Sequence, residues 1–166
     1  MIVVSDTTPL ISLMKADSLE LLAPLFQEVL IPEAVYAELT SNPVFSAEAE
    51  LIKECAFIRV VSVKEQKAVD VLRRVSELDR GESEAIVYAD DVKAEVLLMD
   101  EAKGRAVARS MGLYIMGTIG ILLFAHDEKL LSTDNTRRAL EKLRLANRHI
   151  SEDLLNYAMS KLADQA

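Results

Sequence analysis

The sequence predicts a single α/β domain, with a central parallel β-sheet covered by helices on both faces. Short apolar runs rich in β-branched residues alternate with amphipathic helical stretches, which is the pattern of βα units. The length of 166 residues suits one domain with a full hydrophobic core. No internal repeat, low-complexity segment or linker divides the chain.

Each predicted strand is a short apolar run between polar or helical segments. IVVS opens the chain, EVLIP precedes a helix, FIRVVSV follows one, and EVLLM and LYIM come later. Strands of this length and composition are typical of a buried parallel sheet. The strands are therefore predicted at residues 2–5, 28–32, 57–63, 95–99 and 113–116.

The predicted helices fill the intervals between these strands. Pro9 and Pro32 stand near the starts of two of them, where the missing N–H of proline leaves no helical hydrogen bond unmade. Apolar residues at helical spacing define the others, and the polar stretch TSNPVFS (40–46) is predicted as a loop. The other helices are predicted at residues 18–26, 47–55, 64–78, 81–92 and 101–111, and from 117 to the end.

Composition excludes several kinds of site. One cysteine excludes an internal disulfide and a multi-cysteine zinc site, and two histidines exclude a histidine-rich metal centre. The net charge of −8 argues against nucleic-acid binding through overall charge, but a local basic patch or a cation held by acids is still compatible with it. The longest apolar run (113–125) is too short to span a bilayer, and the N-terminus lacks the basic region of a signal peptide. We therefore expect a cytoplasmic protein without membrane contact.

Two acids directly follow predicted strands. Asp6 comes after the first strand and Asp100 after the fourth, and the carboxyl ends of parallel strands meet at one edge of the sheet. Thr8, immediately before Pro9, is the better candidate for a helix cap, which leaves Asp6 without a capping role. Asp100 has a structural alternative, because it could cap the helix that begins at Glu101.

Two more acids lie on helices. Glu38 follows Val35 by three residues, along the apolar edge of its helix, although most helical glutamates are simply solvated. Glu82 precedes Ala85 by three residues, so it is predicted to face the sheet, whereas Glu84 is predicted to point away from that face.

Four carboxylates directed at one crevice would repel each other unless a cation neutralised them. Mg²⁺ and Mn²⁺ prefer oxygen ligands and suit a chain that is poor in histidine and cysteine. Such ions typically support phosphoryl chemistry.

The sequence resembles the PIN-domain family, which includes the VapC-like toxin ribonucleases. The resemblance covers residues 1–127 and rests on four motifs: SDTTPLI, the helix carrying AEL, GESEAI and LLMDE. It is closest to the standalone subgroup with DTxPLI, GExEAI, DExxGRxxA (here DEAKGRAVA) and GTxG (here GTIG). We predict a PIN-like nuclease domain over residues 1–127, and a C-terminal helical extension of the same domain over 128–166.

The resemblance implies a fold, an activity and a set of site residues. The fold is a PIN-like α/β/α domain, and the activity is Mg²⁺- or Mn²⁺-dependent hydrolysis of RNA phosphodiesters by metal-activated water. A homodimer and inhibition by an antitoxin protein are also implied. The catalytic metal ligands would be Asp6, Glu38, Glu82 and Asp100, with Thr7, Glu101 and Thr118 in support. Glu82 stands where many family toxins have aspartate, and LMDEAKGR runs straight into a helix instead of a short loop.

RNA binding would need cations beside these acids. Lys103, Arg105 and Arg109 follow Asp100 in one helix and are the first candidates. The tail stretch TRRALEKLRLANRH offers a second group, although its charges also fit a solvated, salt-bridged helix. The members of this second group are Arg137, Arg138, Lys142, Arg144 and Arg148.

Two other kinds of phosphoryl-transfer protein do not fit these motifs. A receiver-type phosphoacceptor needs an acidic pair after the first strand, and a dehalogenase-like phosphatase needs D-x-D, whereas the chain reads Asp6-Thr7-Thr8. The alternative that remains is a non-catalytic PIN-like module that binds RNA or protein. A metal titration separates the two functions, because a module without a site would not be stabilised by Mn²⁺.

Overall fold

The structure is a computed structural model that describes residues 1–148 and 150–164. Its centre is one sheet of five parallel strands in the order β3-β2-β1-β4-β5. The strands are β1 (Val3–Ser5), β2 (Val29–Pro32), β3 (Ile58–Val61), β4 (Val96–Leu98) and β5 (Ile115–Met116). The predicted fold class is confirmed, and each strand end differs from its prediction by at most two residues.

Helices account for most of the rest of the chain. The first seven are α1 (Thr7–Lys15), α2 (Leu22–Phe26), α3 (Glu33–Ser41), α4 (Ser46–Glu54), α5 (Gln66–Ser76), α6 (Arg80–Asp91) and α7 (Ala102–Ser110). The last three are α8 (Thr118–Asp127), α9 (Thr133–Leu145) and α10 (Glu152–Asp164). The stretch predicted as helix from residue 117 onward is therefore three helices, and Ser132 caps the second by accepting a hydrogen bond from the Asn135 N–H.

The loop predicted at residues 40–46 is wrong in its extent. Helix α3 runs to Ser41, Pro43–Phe45 is a turn of 3₁₀-helix, and α4 begins at Ser46. The Asn42 side chain accepts a hydrogen bond from the Val44 N–H, and Pro43 suits a first helical position. Similarly, the helix predicted at 18–26 is a 3₁₀ turn, Leu19–Leu21, followed by α2.

Alternation along the strands gives the sheet two apolar faces. Val3, Val96 and Leu98 belong to one cluster, which also holds buried residues of α1, α8, α9 and α10. Val4 and Leu97 belong to the other, which packs against α6 and α7. Because successive side chains point to opposite faces, helices cover the sheet on both sides.

The C-terminal helices are part of this core. Leu140 and Leu143 of α9 and Leu155 and Leu162 of α10 are buried in the first cluster. The division at residue 127 stays a prediction, and α9 and α10 pack as parts of the same body. Within the described residues, no helix combines the length and apolar character required to cross a membrane.

We predict that Glu48→Gln lowers the free energy of unfolding by about 1 kcal/mol near neutral pH. Glu48 of α4 is buried and forms a salt bridge with Lys15 of α1, which lowers the pKa of the carboxyl. A carboxyl whose folded-state pKa is lowered stabilises the fold above its unfolded-state pKa, and this contribution is lost as the pH falls through the folded-state pKa.

Urea unfolding of the wild type and the variant, near pH 7 and again near pH 3, measures this difference. Glu50→Gln is the matched control, because Glu50 lies in the same helix and is 70% exposed in its pair with Lys53. A stability difference for Glu48→Gln that persists unchanged near pH 3 would contradict the assignment.

Candidate active site

The first strand and the fourth are neighbours, and both end in acids. Val3 pairs with Val96 and Ser5 with Leu98, and the Asp6 N–H donates to the Leu98 carbonyl at 3.0 Å. The chain goes from β1 toward β2 and β3 on one side of the sheet, and then returns past β1 to β4 and β5 on the other side. Open parallel sheets form their binding crevices where the strand order reverses in this way, which here is between β1 and β4.

A cavity of about 530 Å³ lies at this edge, and we call it the acid pocket. It brings together three of the four predicted ligands, Asp6, Glu38 and Glu82, from the ends of β1, α3 and α6. Three further acids that line it are Glu77, Asp79 and Glu101. Asp100 does not line this pocket.

Asp6 is the most deeply buried of these acids, at 2% exposure. It occupies the position before α1, so the prediction that Thr8 caps this helix is wrong, but the Asp6 side chain makes no capping hydrogen bond. Burial raises the pKa of its carboxyl well above the usual value, and the charges of Glu82, Asp79 and Glu38 raise it further. The fold therefore places a negative charge where it is unfavourable unless a cation approaches.

Glu38 is held by a neighbour that the sequence analysis named as supporting. The Thr7 hydroxyl donates to Glu38 Oε2 at 2.6 Å. A Cβ added to Gly81 would lie 2.7 Å from Glu38 Oε1, so glycine at this position lets α6 approach the carboxylate of α3. Burial and, to a smaller extent, the charge of Asp79 raise the pKa of Glu38.

Glu82 is half-buried and also belongs to a capping box at the start of α6. Its Oε2 accepts from the Asp79 N–H at 3.0 Å, while its own N–H donates to Asp79 Oδ1 at 2.8 Å. Burial raises the Glu82 pKa, as do the charges of Asp79, Glu101 and Glu38. Asp79 was not among the predicted site residues, and the three-residue spacing from Asp79 to Glu82 is the signal that could have found it.

Glu84 was predicted to point off the sheet-facing side of α6, and its burial on another side of that helix was not anticipated. Glu84 is only 4% exposed and accepts hydrogen bonds from the Ala34 N–H (3.1 Å) and Gln66 Nε2 (3.2 Å), with Arg80 Nε at 3.4 Å. Helical spacing separates one face from another, but it did not anticipate that α3 and α5 cover a second face of α6. The contact with Ala34 ties the first turn of α3 to α6, the helices that carry Glu38 and Glu82.

Asp100 lies just outside the acid pocket, in contact with Thr118. Its Oδ1 accepts from the Thr118 N–H at 2.7 Å and its Oδ2 from the Thr118 hydroxyl at 2.6 Å. The alternative that Asp100 caps the helix after Glu101 is wrong, because the position before α7 is Glu101 and Asp100 binds the start of α8. The carboxylate is fixed by Thr118, a residue predicted to support the site.

The predicted RNA-contacting cations differ in their surroundings. Lys103 lines the acid pocket and pairs with Glu77 at 3.2 Å. Arg105 donates to the Met99 carbonyl at 2.8 Å, and Arg109 is exposed near the end of α7.

Of the second basic group, only Arg148 reaches the acid pocket. Its Nε donates to the Ser12 hydroxyl at 3.1 Å. Three other members form salt bridges on the surface: Arg137 with Asp134, Lys142 with Asp17, and Arg144 with Glu141. The five basic residues of the tail were predicted as one group, but in the structure they make different contacts.

The arrangement of the acids suits a divalent cation that keeps several water ligands better than one whose ligands all come from the protein. Across residues 1–148 and 150–164, no three histidine, cysteine, aspartate or glutamate side chains converge closely enough to hold a metal ion by themselves. Mg²⁺ commonly keeps several water ligands and binds through one or two carboxylates. Burial raises the pKa values of Asp6, Glu38 and Glu82, and the charges of neighbouring acids raise them further.

Comparisons with known proteins give one match. A family model described as "DUF3368: PIN domain" matches residues 2–164, which include the sheet, the acids and helices α9 and α10. No curated protein and no solved structure matches the chain significantly.

We predict that Glu84→Ala lowers the free energy of unfolding by about 2 kcal/mol, because it leaves partly buried donors without an acceptor. Glu84→Gln should lose less, since an amide oxygen still accepts a hydrogen bond from the Ala34 N–H. Urea unfolding measures both variants, with Glu33→Ala, an exposed acid in the first turn of α3, as the control. If Glu84→Ala is as stable as the wild type, the hydrogen bond between Ala34 of α3 and Glu84 of α6 does not stabilise the fold.

Proposed function

We propose that this chain, which belongs to the PIN-domain family, is a divalent-metal-dependent ribonuclease that hydrolyses RNA phosphodiester bonds. PIN domains generally act as nucleases and generally use divalent metal ions. The observation that carries the proposal is the acid pocket, where a deeply buried Asp6 faces Glu38 and Glu82 at the carboxyl edge of the sheet. An RNA substrate, Mg²⁺ or Mn²⁺ as the ion, and endonucleolytic cleavage are the finer parts of the proposal.

When bound, Mg²⁺ or Mn²⁺ would supply a Lewis acid that polarises the phosphate, lowers the pKa of water and stabilises the leaving oxygen. Asp6, Glu38 and Glu82 would line the site of the ion, with one or two of them binding it beside water ligands and with Asp100 at the pocket's margin. Thr7 orients Glu38, and the capping box with Asp79 orients Glu82.

The remaining groups have supporting tasks in this proposal. Thr118 holds Asp100 through both carboxylate oxygens, and Glu101 adds negative charge beside Glu82. Lys103, Arg105 and Arg109 are the proposed phosphate contacts from α7, and Arg148, in the segment after α9, joins them. Cations in these positions would offset the repulsion between the acids and an RNA backbone.

The likeness to VapC-like ribonucleases supports further proposals. They are that the protein acts in the cytoplasm, forms a homodimer and is the toxin of a toxin–antitoxin pair, inhibited by an antitoxin protein. We also propose residues 1–127 as the nuclease domain, with 128–166 as a helical extension of it. The packing of α9 and α10 into the core supports the second part of this proposal, that the extension belongs to the same domain.

The second candidate function is a non-catalytic PIN-like module that binds RNA or protein. Two observations favour it: Glu82 already serves as a helix cap, and both oxygens of Asp100 are bound by Thr118. A carboxylate engaged in this way has fewer free lone pairs for an ion. The experiment below separates the two functions.

We predict that the wild type cleaves single-stranded RNA in Mn²⁺ or Mg²⁺ but not in EDTA, and that Asp6→Asn abolishes cleavage. Millimolar Mn²⁺ should raise the melting temperature of the wild type and not that of the variant. In EDTA the variant should melt higher than the wild type, by roughly 2–4 °C, because a buried charge is removed.

Asp91→Asn is the control, because Asp91 is an exposed acid at the end of α6. No cleavage of several RNAs by the wild type, together with no stabilisation by Mn²⁺, would favour the non-catalytic module. Cleavage that is equal in Asp6→Asn and the wild type would contradict the assignment of Asp6.

We further predict that Gly81→Ala reduces cleavage about tenfold or more while the protein stays folded. The added methyl group would displace the end of the Glu38 side chain, and alanine in a helix offsets the local strain by roughly 0.5–1 kcal/mol. Ser83→Ala is the control in the same helix, since it removes a buried hydroxyl that has no hydrogen-bond partner among residues 1–148 and 150–164. If Gly81→Ala cleaves at the wild-type rate, the position of Glu38 does not matter to the reaction.

A further inference from the structure

A groove of about 930 Å³ runs beside the acid pocket along the β5 edge of the sheet. We call it the edge groove, and it is bounded by β5 and helices α7, α8 and α10. Thr8, Glu101 and Arg148 line both the edge groove and the acid pocket, so the two adjoin each other.

The edge groove is long enough to guide a chain toward the acids. Val96 at the start of β4 and Asp100 just after its end both line it. At the rise of a β-strand, this separation is about 13 Å. An extended ligand lying in the groove would therefore pass from the opposite edge of the sheet to the carboxylates.

The exposed aromatic side chains of the protein are concentrated here. The chain has four tyrosines, four phenylalanines and no tryptophan, all within the described residues. Only Tyr114 and Tyr157 are exposed, at 62% and 55%, and both line the edge groove. Two rings held open to solvent on one groove are suited to stack against planar, partly apolar ligands.

Cations accompany these rings. Lys161 Nζ lies 5.6 Å from the centroid of the Tyr157 ring, and Arg105 and Arg148 line the end of the groove that contains Asp100 and Glu101. In the part of the chain that the structure describes, none of these three cations forms a salt bridge with a carboxylate. Their charges are therefore available to a phosphate backbone.

We infer that the edge groove binds single-stranded RNA, with bases stacked on Tyr114 and Tyr157, and leads the strand into the acid pocket. This inference rests on the proposed ribonuclease function. Arg105, Arg148 and Lys161 contact the phosphates. Aromatic platforms joined to cationic tracks are the usual means of binding unpaired strands.

Base pairing would prevent this mode of binding. In duplex RNA the base faces are stacked within the helix and cannot reach a side chain. The edge groove therefore selects unpaired RNA, and its apolar wall, which includes Met116 and Phe124, is covered by the base faces.

The test is binding of a fluorescent decauridylate, measured by anisotropy in EDTA so that no cleavage occurs. Tyr114→Ala and Tyr157→Ala should each weaken binding about fivefold or more, whereas Tyr114→Phe and Tyr157→Phe should bind like the wild type. Lys161→Gln should weaken binding and reduce its dependence on salt. A blunt-ended RNA duplex should bind the wild type at least as weakly as decauridylate binds the alanine variants.

Matched controls lie outside the groove. Val75→Ala truncates an apolar side chain that is 77% exposed on α5, and Lys129→Gln removes an exposed lysine, so neither should alter binding. Thermal unfolding checks that the tyrosine variants are folded, as expected for exposed positions.

The outcomes separate this inference from the proposed function. Suppose that the wild type cleaves RNA in the presence of metal, but that the tyrosine variants bind decauridylate as tightly as the wild type does. The edge groove would then not be an RNA site, and a protein partner would be the remaining occupant. Binding that depends on both tyrosines, without cleavage in any metal, would support the groove and overturn the ribonuclease. A wild type that does not bind decauridylate would also overturn the inference.

Discussion

Repulsion among carboxylates gathered at one edge of a parallel sheet is the constraint around which this structure is organised. Strand pairing fixes Asp6 beside the end of β4, and the helices on the two faces bring Glu38 and Glu82 to the same place. Burial makes their charges less favourable than they would be in water. The core must therefore hold these groups in position against an electrostatic force that tends to separate them.

Helix N-termini supply part of what opposes that force. Glu84 accepts a hydrogen bond from the first turn of α3, Asp79 and Glu82 close a capping box on α6, and Asp100 binds the first residue of α8. Unpaired N–H groups at the start of a helix carry partial positive charge, so acids are favoured there. The same contacts position the helices and moderate the local charge, which couples the scaffold to the site. Gly81 completes this arrangement by permitting close approach of α6 to Glu38.

The sheet was predicted well because buried parallel strands are short and nearly continuous apolar runs, which stand out in the sequence. The positions of Asp6, Glu38 and Glu82 around one crevice also followed from strand ends and helical spacing. What the sequence did not reveal depends on which helices pack together. Glu84 is spaced off one buried face, but α3 and α5 cover it on another. Asp100 followed a strand as expected, but its engagement by Thr118 depends on where α8 starts. Tyr114 and Tyr157 stand far apart in sequence, and only the fold places them on one groove.

The placement of Arg148 and α10 has a consequence for how the protein is made. Arg148 lines the acid pocket, and Tyr157 and Lys161 of α10 line the groove that leads to it, although the acids themselves all precede residue 102. During synthesis on a ribosome, the carboxylates emerge well before the cationic wall that completes their surroundings. A chain made only as far as α7 therefore carries the acids without Arg148, Tyr157 and Lys161. The order of residues therefore delays assembly of the acid pocket and the edge groove until α10 has been synthesised.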